Sequence, residues 1–270
     1  MIRDVKVHLL PVLFEPEEVR GGVAVIIDVL RASTTIVHAL ANGAMSVIPV
    51  AEVDEAQRVA SELVERTPSS VHHNVVDTDG RRRPSHVLLG GERAGLLIDG
   101  FDLDNNPFAY SREVVESKTI VFTTSNGTRA LLRAAQADRV LIGSFVNLQA
   151  VVNVLSNDAR PIHLVCAGTM GKITAEDSLC AGAIIDGLLQ TTSEAETNWF
   201  DDQLRLVLGF YRTESGSSES FRQAMRSSYG GRNCMRLGFE DQLERAGTCD
   251  LFDIVPEYDF NTQSITIPAT

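Results

Sequence analysis

Short apolar runs, mostly β-branched, alternate along this chain with stretches in which apolar residues recur at helical spacing. The pattern predicts strands at 5–10, 23–28, 46–50, 87–89, 119–124, 139–142 and 162–166. Between them it predicts helices at 33–42, 53–66, 128–135, 146–156 and 175–189. Strands that alternate with helices need crossover connections, so the fold class is α/β with a largely parallel or mixed sheet. The unit strand, polar turn, helix, strand that begins at Val23 recurs in outline at Thr119. That outline fits an internal duplication, with lobes at about 1–115 and 116–270 inside one domain spanning 1–270, and it fits two ordinary βαβ units equally well. Beyond the last predicted helix, 193–198 and 213–220 read as polar loops and 199–211 as a helix. Segments 250–255 and 264–267 read as late strands.

Composition narrows the partners. A chain of 270 residues with 44% hydrophobic content can bury a sizeable core. Its formal net charge of −12 repels nucleic acid and anionic membranes. The short run Arg81-Arg82-Arg83-Pro84 reads as a solvated loop, not a basic patch. No apolar stretch approaches the roughly 20 residues that span a bilayer, and the start shows no signal core. The four cysteines have neither CxxC nor zinc-finger spacing, so they read as reduced thiols of a cytoplasmic protein.

Candidate chemistry gathers where predicted strands end. In an open parallel sheet, ligands bind at the carboxyl ends of strands. The strand 23–28 ends in Asp28, a carboxylate suited to a hard cation, and leads through Arg31 into Ser33-Thr34 at a helix start. Arg31 carries a fork that matches phosphoryl or sulfonate oxygen pairs. An ordinary capped helix with a surface arginine has the same residues. The strand 119–124 repeats the arrangement with Thr123-Thr124-Ser125-Asn126, Gly127 free to take positive φ, and Thr128 opening the helix. A third loop, from Cys166, ends in Glu176-Asp177, which either complements a helix dipole or holds a divalent cation. A fourth, Gly90 to Tyr110, collects Glu92, Arg93, Asp99, Asp102, Asp104, Asn105 and Asn106 in a glycine-rich loop.

Several familiar catalytic motifs are excluded. Gly171-Lys172 lacks the glycine and hydroxyl of a Walker loop, because Cys166 and Ile173 stand there. A Cys-x₅-Arg loop fails at Lys172. Asp102-Leu103-Asp104 follows Gly100-Phe101 in place of the apolar strand that a D-x-D nucleophile needs. The six histidines fit neither a nucleophile nor a zinc site.

Taken together, DVLRASTT, GERxGxxIxGFDxxNxP, TTSNGT, GSFVN and EDxxCAG, in that order from about Lys6 to Gly182, resemble the 2-phosphosulfolactate phosphatases of coenzyme M biosynthesis. The resemblance implies a three-layer α/β/α fold and Mg²⁺-dependent hydrolysis of 2-phospho-3-sulfolactate to 3-sulfolactate and phosphate. Applied to this chain, it implies catalytic roles for Asp28, Arg31, Ser33 and Glu176, with Asp28, Glu176 and Asp177 around Mg²⁺. Substrate contacts fall on Thr34, Arg93, Thr124, Ser125, Asn126, Gly127, Thr128, Asn147 and Gly168. The partner is a small anionic organophosphate, with no nucleic acid and no membrane, and a homo-oligomer is compatible with it. The chain departs from the usual GFDxGNSP, having Asp104 for Gly and Asn106 for Ser. If those residues reach the pocket, they alter its substrate. Another small phosphorylated hydroxy acid as substrate, a nucleotide-binding transferase and a non-enzymatic anion sensor remain the alternatives.

Overall fold

The computed structural model describes residues 3–66, 74–76, 82–84, 86–191, 197–198 and 202–268. Its strands are β1 (Arg3–His8), β2 (Val23–Ile27), β3 (Ser46–Val50), β4 (Asn74–Val76), β5 (Arg82–Pro84), β6 (Val87–Gly91), β7 (Thr119–Thr123), β8 (Arg139–Gly143), β9 (Ile162–Cys166), β10 (Thr197–Asn198), β11 (Glu257–Asp259) and β12 (Ser264–Thr266). The helices are α1 (Ala32–Ala41), α2 (Val53–Arg66), α3 (Arg112–Val115), α4 (Gly127–Arg133), α5 (Leu148–Ser156), α6 (Ala175–Thr191), α7 (Asp202–Glu214), α8 (Ser218–Ser227), α9 (Tyr229–Leu237) and α10 (Glu240–Ala246). The α/β class and most inner elements follow the hydrophobic pattern. In β2 every residue is buried, as a central strand covered on both faces requires. Val23, Val25 and Ile27 pack under α5 and α6, while Ala24 and Ile26 face α1 and α4, so helices cover both sides of the sheet.

One ten-stranded mixed sheet has the order β10-β1-β9-β2-β8-β11-β12-β3-β7-β6. Strands β1, β9, β2 and β8 are mutually parallel, and so are β3, β7 and β6. Three antiparallel steps, β8 to β11, β11 to β12 and β12 to β3, join the groups, so the groups run in opposite senses. The unit β2-α1-β3 carries the chain from the first group to the second, and β7-α4-β8 carries it back. Val23 of β2 pairs with Arg139 of β8, and Thr119 of β7 pairs with Ser46 of β3, each first residue with first residue. The outline repeat is therefore also an exchange symmetry of the topology. Strands from 1–115 and from 116–270 interleave in the one sheet.

The C-terminal third departs from the pattern. Segment 213–220, read as a loop, holds the end of α7 and the start of α8, where Ser217 caps Ser220 N–H. These polar helices hide little: α8 buries only Ala224 and Met225, too short an apolar signal to announce a helix. Segment 250–255 forms no strand; it is tied by isolated bonds such as Phe252 N–H to Val146 O. Of the polar segment 193–198, residues 193–196 lie outside the described residues and Thr197–Asn198 form β10. Arg81 also lies outside them, while Arg82–Pro84 form β5, paired with β4. Among the described residues no helix is long and apolar enough to cross a membrane.

Candidate active site

A cleft of ≈ 290 Å³ opens where the carboxyl ends of β2 and β9 meet those of β6 and β7, with α9 and the start of α10 along one side. The Asp28 and Asn126 turns share this cleft, although their strands do not end at one edge of a parallel sheet. Their strands belong to oppositely directed groups whose carboxyl ends face each other. Asp28, Glu92 and Arg31 line the cleft together with Thr124, Ser125 and Asn126.

Its floor is acidic. Burial, with the charges of Glu92 and Glu176 adding to it, pushes the Asp28 carboxyl up to about 7, against amide donors at Ala32 and Gly127. Ala32 N–H lies 3.4 Å from Asp28 Oδ1. Glu176 sits just behind the wall formed by Leu30 and Gly230, at 1% exposure. Its Oε1 accepts from Gly230 N–H at 3.0 Å, and its Oε2 is buried with no partner. Burial raises its pKa, while the Gly230 N–H resists the rise. An orphaned buried carboxylate oxygen beside a second carboxyl is costly unless a proton or a cation completes it. Burial also disfavours the thiolate form of the cysteines around the cleft. Burial pushes Cys166 and Cys180 upward, and Cys234, which lines the cleft, rises to about 11.

Asp177, which the resemblance places beside the cation, braces two turns in this structure. Its Oδ1 accepts from Val29 N–H, and its Oδ2 accepts from Gly168 N–H and the Thr174 hydroxyl. Three donors leave the carboxylate committed to bracing the turns after β2 and β9. The oxygen donors that suit Mg²⁺ are Asp28 and Glu176, with Glu92 as a neighbouring charge. Among the described residues no group of three or more His, Cys, Asp or Glu forms a closed metal cage. Mg²⁺ is commonly held by one or two carboxylates with waters and substrate phosphate, so this donor set fits it.

Other residues expected in the site are drawn into the backbone. The Ser33 hydroxyl accepts from Asp28 N–H and donates to Ile26 O. Thr34, wholly buried, bonds Val29 O and the Ser144 hydroxyl. Arg93 spends its guanidinium on Glu92 O, Ala51 O and the Thr123 hydroxyl. Asn147, also wholly buried, accepts from Ser144 N–H and donates to Ile142 O and Ile254 O. Gly168 takes φ +62, and an added Cβ would lie 2.5 Å from Lys172 O, so conformation and space both select glycine. Thr128 is buried within α4. These polar residues brace turns, and none lines the cleft.

Residues that the motifs left unassigned complete the wall. Glu92 links two loops, accepting from Ser125 N–H at 3.2 Å and Gly95 N–H at 2.7 Å. Asn105 lines the cleft at 3% exposure with Oδ1 unpartnered. Its neighbours Asp104 and Asn106, the departures from the family pattern, cap local turns: Asp104 Oδ1 accepts from Asn106 N–H and Asn106 Oδ1 from Phe108 N–H. Tyr229, Asn233 and Arg236 come from α9. The only hint of them in the sequence is the polar, glycine-rich start of that helix.

A sequence model of the 2-phosphosulpholactate phosphatase family matches residues 9–261. A protein of Symbiobacterium thermophilum named "Probable 2-phosphosulfolactate phosphatase" is 38% identical over 242 residues, covering 90% of this chain and 93% of its own. Proteins of the same name from Clostridium perfringens (strain SM101) and Thermotoga petrophila are each 37% identical. The first alignment covers 90% of this chain and 89% of the relative, the second 86% and 87%.

Proposed function

The chain belongs to the 2-phosphosulpholactate phosphatase family, and from that premise we propose that its cleft hydrolyses 2-phospho-3-sulfolactate with the help of Mg²⁺. The general class is phosphoric monoester hydrolysis. The observation that carries the finer reading is the meeting of Asp28 and Arg31, from one βα turn, with the unpartnered Glu176 Oε2 just behind the wall.

Asp28 and Glu176 would hold the cation, which supplies Lewis acidity toward the phosphoryl oxygens. The remaining work falls to the chain itself. Hydrolysis joins phosphorus to a water oxygen and breaks the ester bond, and the leaving oxygen takes up a proton. Such a reaction is accelerated chiefly by positioning and by neutralising charge on the phosphoryl oxygens. Arg31 brings a permanent positive charge and N–H donors to that place. Thr124, Ser125 and Asn126 offer short polar groups along the opposite turn, and Phe239 and Leu237 narrow the space left to water. A protein of net charge −12 repels an acidic ester at long range, so the cleft needs its own cations. Arg31 and Arg236 fill that role; Arg93 does not line the cleft and Arg129 is an exposed helix residue.

Phosphate release from 2-phosphosulfolactate, compared with 2-phospholactate and phosphoglycolate, tests the assignment. Preference for the sulfonated ester supports it. Faster turnover of an unsulfonated ester would move the assignment to another phosphorylated hydroxy acid.

A further inference from the structure

We infer that Gln242, in a helix that carries none of the sequence motifs, is a positioning residue that keeps the Arg31 guanidinium aimed into the cleft with its charge unspent. The inference rests on the reading of Arg31 as the cation that receives the phosphoryl group.

Arg31 is 6% exposed, and its guanidinium is held on three sides. Nη1 donates to Gln242 Oε1 at 2.6 Å, Nη2 donates to Gly95 O at 2.8 Å, and the Phe239 ring lies 4.9 Å below Cζ. Gln242 is itself 3% exposed, between the buried core residues Leu243 and Ala246 and the cation-bearing Phe239. The orientation of its carboxamide is fixed by chemistry, because a guanidinium has donors only and must meet the oxygen. The three groups that hold the Arg31 guanidinium are uncharged: an amide oxygen, a peptide oxygen and an aromatic face. That choice of partners matters. A carboxylate in the place of Gln242 would hold the fork equally well but would neutralise the charge that an anionic ester requires. A neutral acceptor fixes geometry and leaves the field of the cation directed at the cleft. Gln242 thereby couples α10 to the turn after β2, two segments far apart in sequence.

The test uses the full-length protein, inorganic phosphate as probe and two variants. Gln242→Met removes the acceptor while keeping volume; Gln242→Glu keeps the acceptor and adds charge. Calorimetric phosphate affinity, kcat and KM on 2-phosphosulfolactate, and melting temperature are measured for each, alongside Arg31→Met. The expected result is that both Gln242 variants bind phosphate about 10-fold more weakly or worse, a differential of about 1.4 kcal/mol. Only Gln242→Met should lose melting temperature. A purely structural glutamine gives a different outcome, with Gln242→Glu restoring stability and phosphate affinity together, and that result overturns the inference. Unchanged phosphate affinity in Gln242→Met overturns it as well. If Arg31→Met also binds phosphate normally, the fault lies in the reading of Arg31. If Arg31→Met binds weakly and the Gln242 variants do not, only the positioning role is lost.

Discussion

A Cβ placed on Gly127 would stand 2.9 Å from Oδ2 of Asp28. These residues belong to the two equivalent turns, one after β2 and one after β7, that the exchange of strands between the halves of the sheet brings face to face. The same Cβ would lie 3.1 Å from the Ala32 methyl, so neither side of the contact is an idle side-chain tip. Positive φ is not the reason for glycine here, contrary to the reading of the sequence. Close approach of the two turns is.

Gly127→Ala should therefore damage the site through contact with Asp28. A drop in kcat of about 10-fold or more is expected, with about 1–3 kcal/mol lost in unfolding free energy as for other overpacked positions. Gly127→Val should be worse on both counts. Steady-state kinetics with denaturant unfolding checks this. A Gly127→Ala protein with wild-type kcat would mean that the turns can part without consequence.

Asp28→Asn tests the carboxylate. Asparagine keeps a side-chain oxygen to accept from Ala32 N–H and removes one of several mutually repelling charges, so the variant should fold and melt at or above the wild-type temperature. Its kcat should fall by about 10²-fold or more. Activity per folded molecule equal to wild type would make Asp28 a structural residue.

Substrate selectivity should respond to Asn105 and not to its neighbours. Asp104 and Asn106 close turns on their own backbone, whereas Asn105 lines the cleft with a buried, unpartnered Oδ1. The double change Asp104→Gly and Asn106→Ser is expected to leave the ratio of kcat/KM for sulfonated and unsulfonated esters unchanged. Asn105→Ala should lower kcat/KM by about 10-fold, the cost of losing a buried polar contact to a charged ligand. Parallel kinetics on the two esters decides between them.

The pH dependence of stability should carry the mark of Asp158, away from the cleft. Hydrogen bonds from Arg160, and then from Arg139, hold its carboxyl down at about 2, below the ordinary 3.8. A depressed folded-state pKa gives stability that is complete above the unfolded value and lost as pH falls through the folded one. Wild-type unfolding free energy should therefore drop between about pH 4 and pH 2 more steeply than that of Asp158→Asn, while activity at neutral pH is unaffected. Parallel slopes in that window would contradict the ion-pair account.

Much of this was legible in the sequence, for a physical reason. Buried strands such as β2 and β9 need unbroken apolar runs, and the turns that follow them need small polar residues, so strand ends and candidate loops stand out together. The same chemistry then misleads at the level of single residues. Ser33, Thr34, Asn147 and Asp177 are the polar residues a ligand site would use, and they are equally the residues that satisfy backbone amides at a tight turn. Only three-dimensional neighbours separate the uses: the Ser33 hydroxyl meets Ile26 O and Asp28 N–H, whereas Asn126 reaches the cleft. The α9 wall stayed hidden because it buries only Gly230, Gly231 and Cys234 and otherwise looks like solvated chain. The reversal between the two parallel groups was equally invisible, since it depends on the short hairpin β11–β12 late in the chain.

Asp28 and Glu176 are proposed to make this cleft a Mg²⁺-dependent phosphatase site. The direct measurement is phosphate release from 2-phosphosulfolactate by protein stripped with EDTA, dialysed, and then titrated with Mg²⁺, in wild type, Asp28→Asn and Glu176→Gln. Stripped wild-type protein should be inactive, Mg²⁺ should restore it saturably, and both variants should need far more Mg²⁺ or fail to recover. Full activity in the stripped protein, with no response to added Mg²⁺, would contradict that proposal.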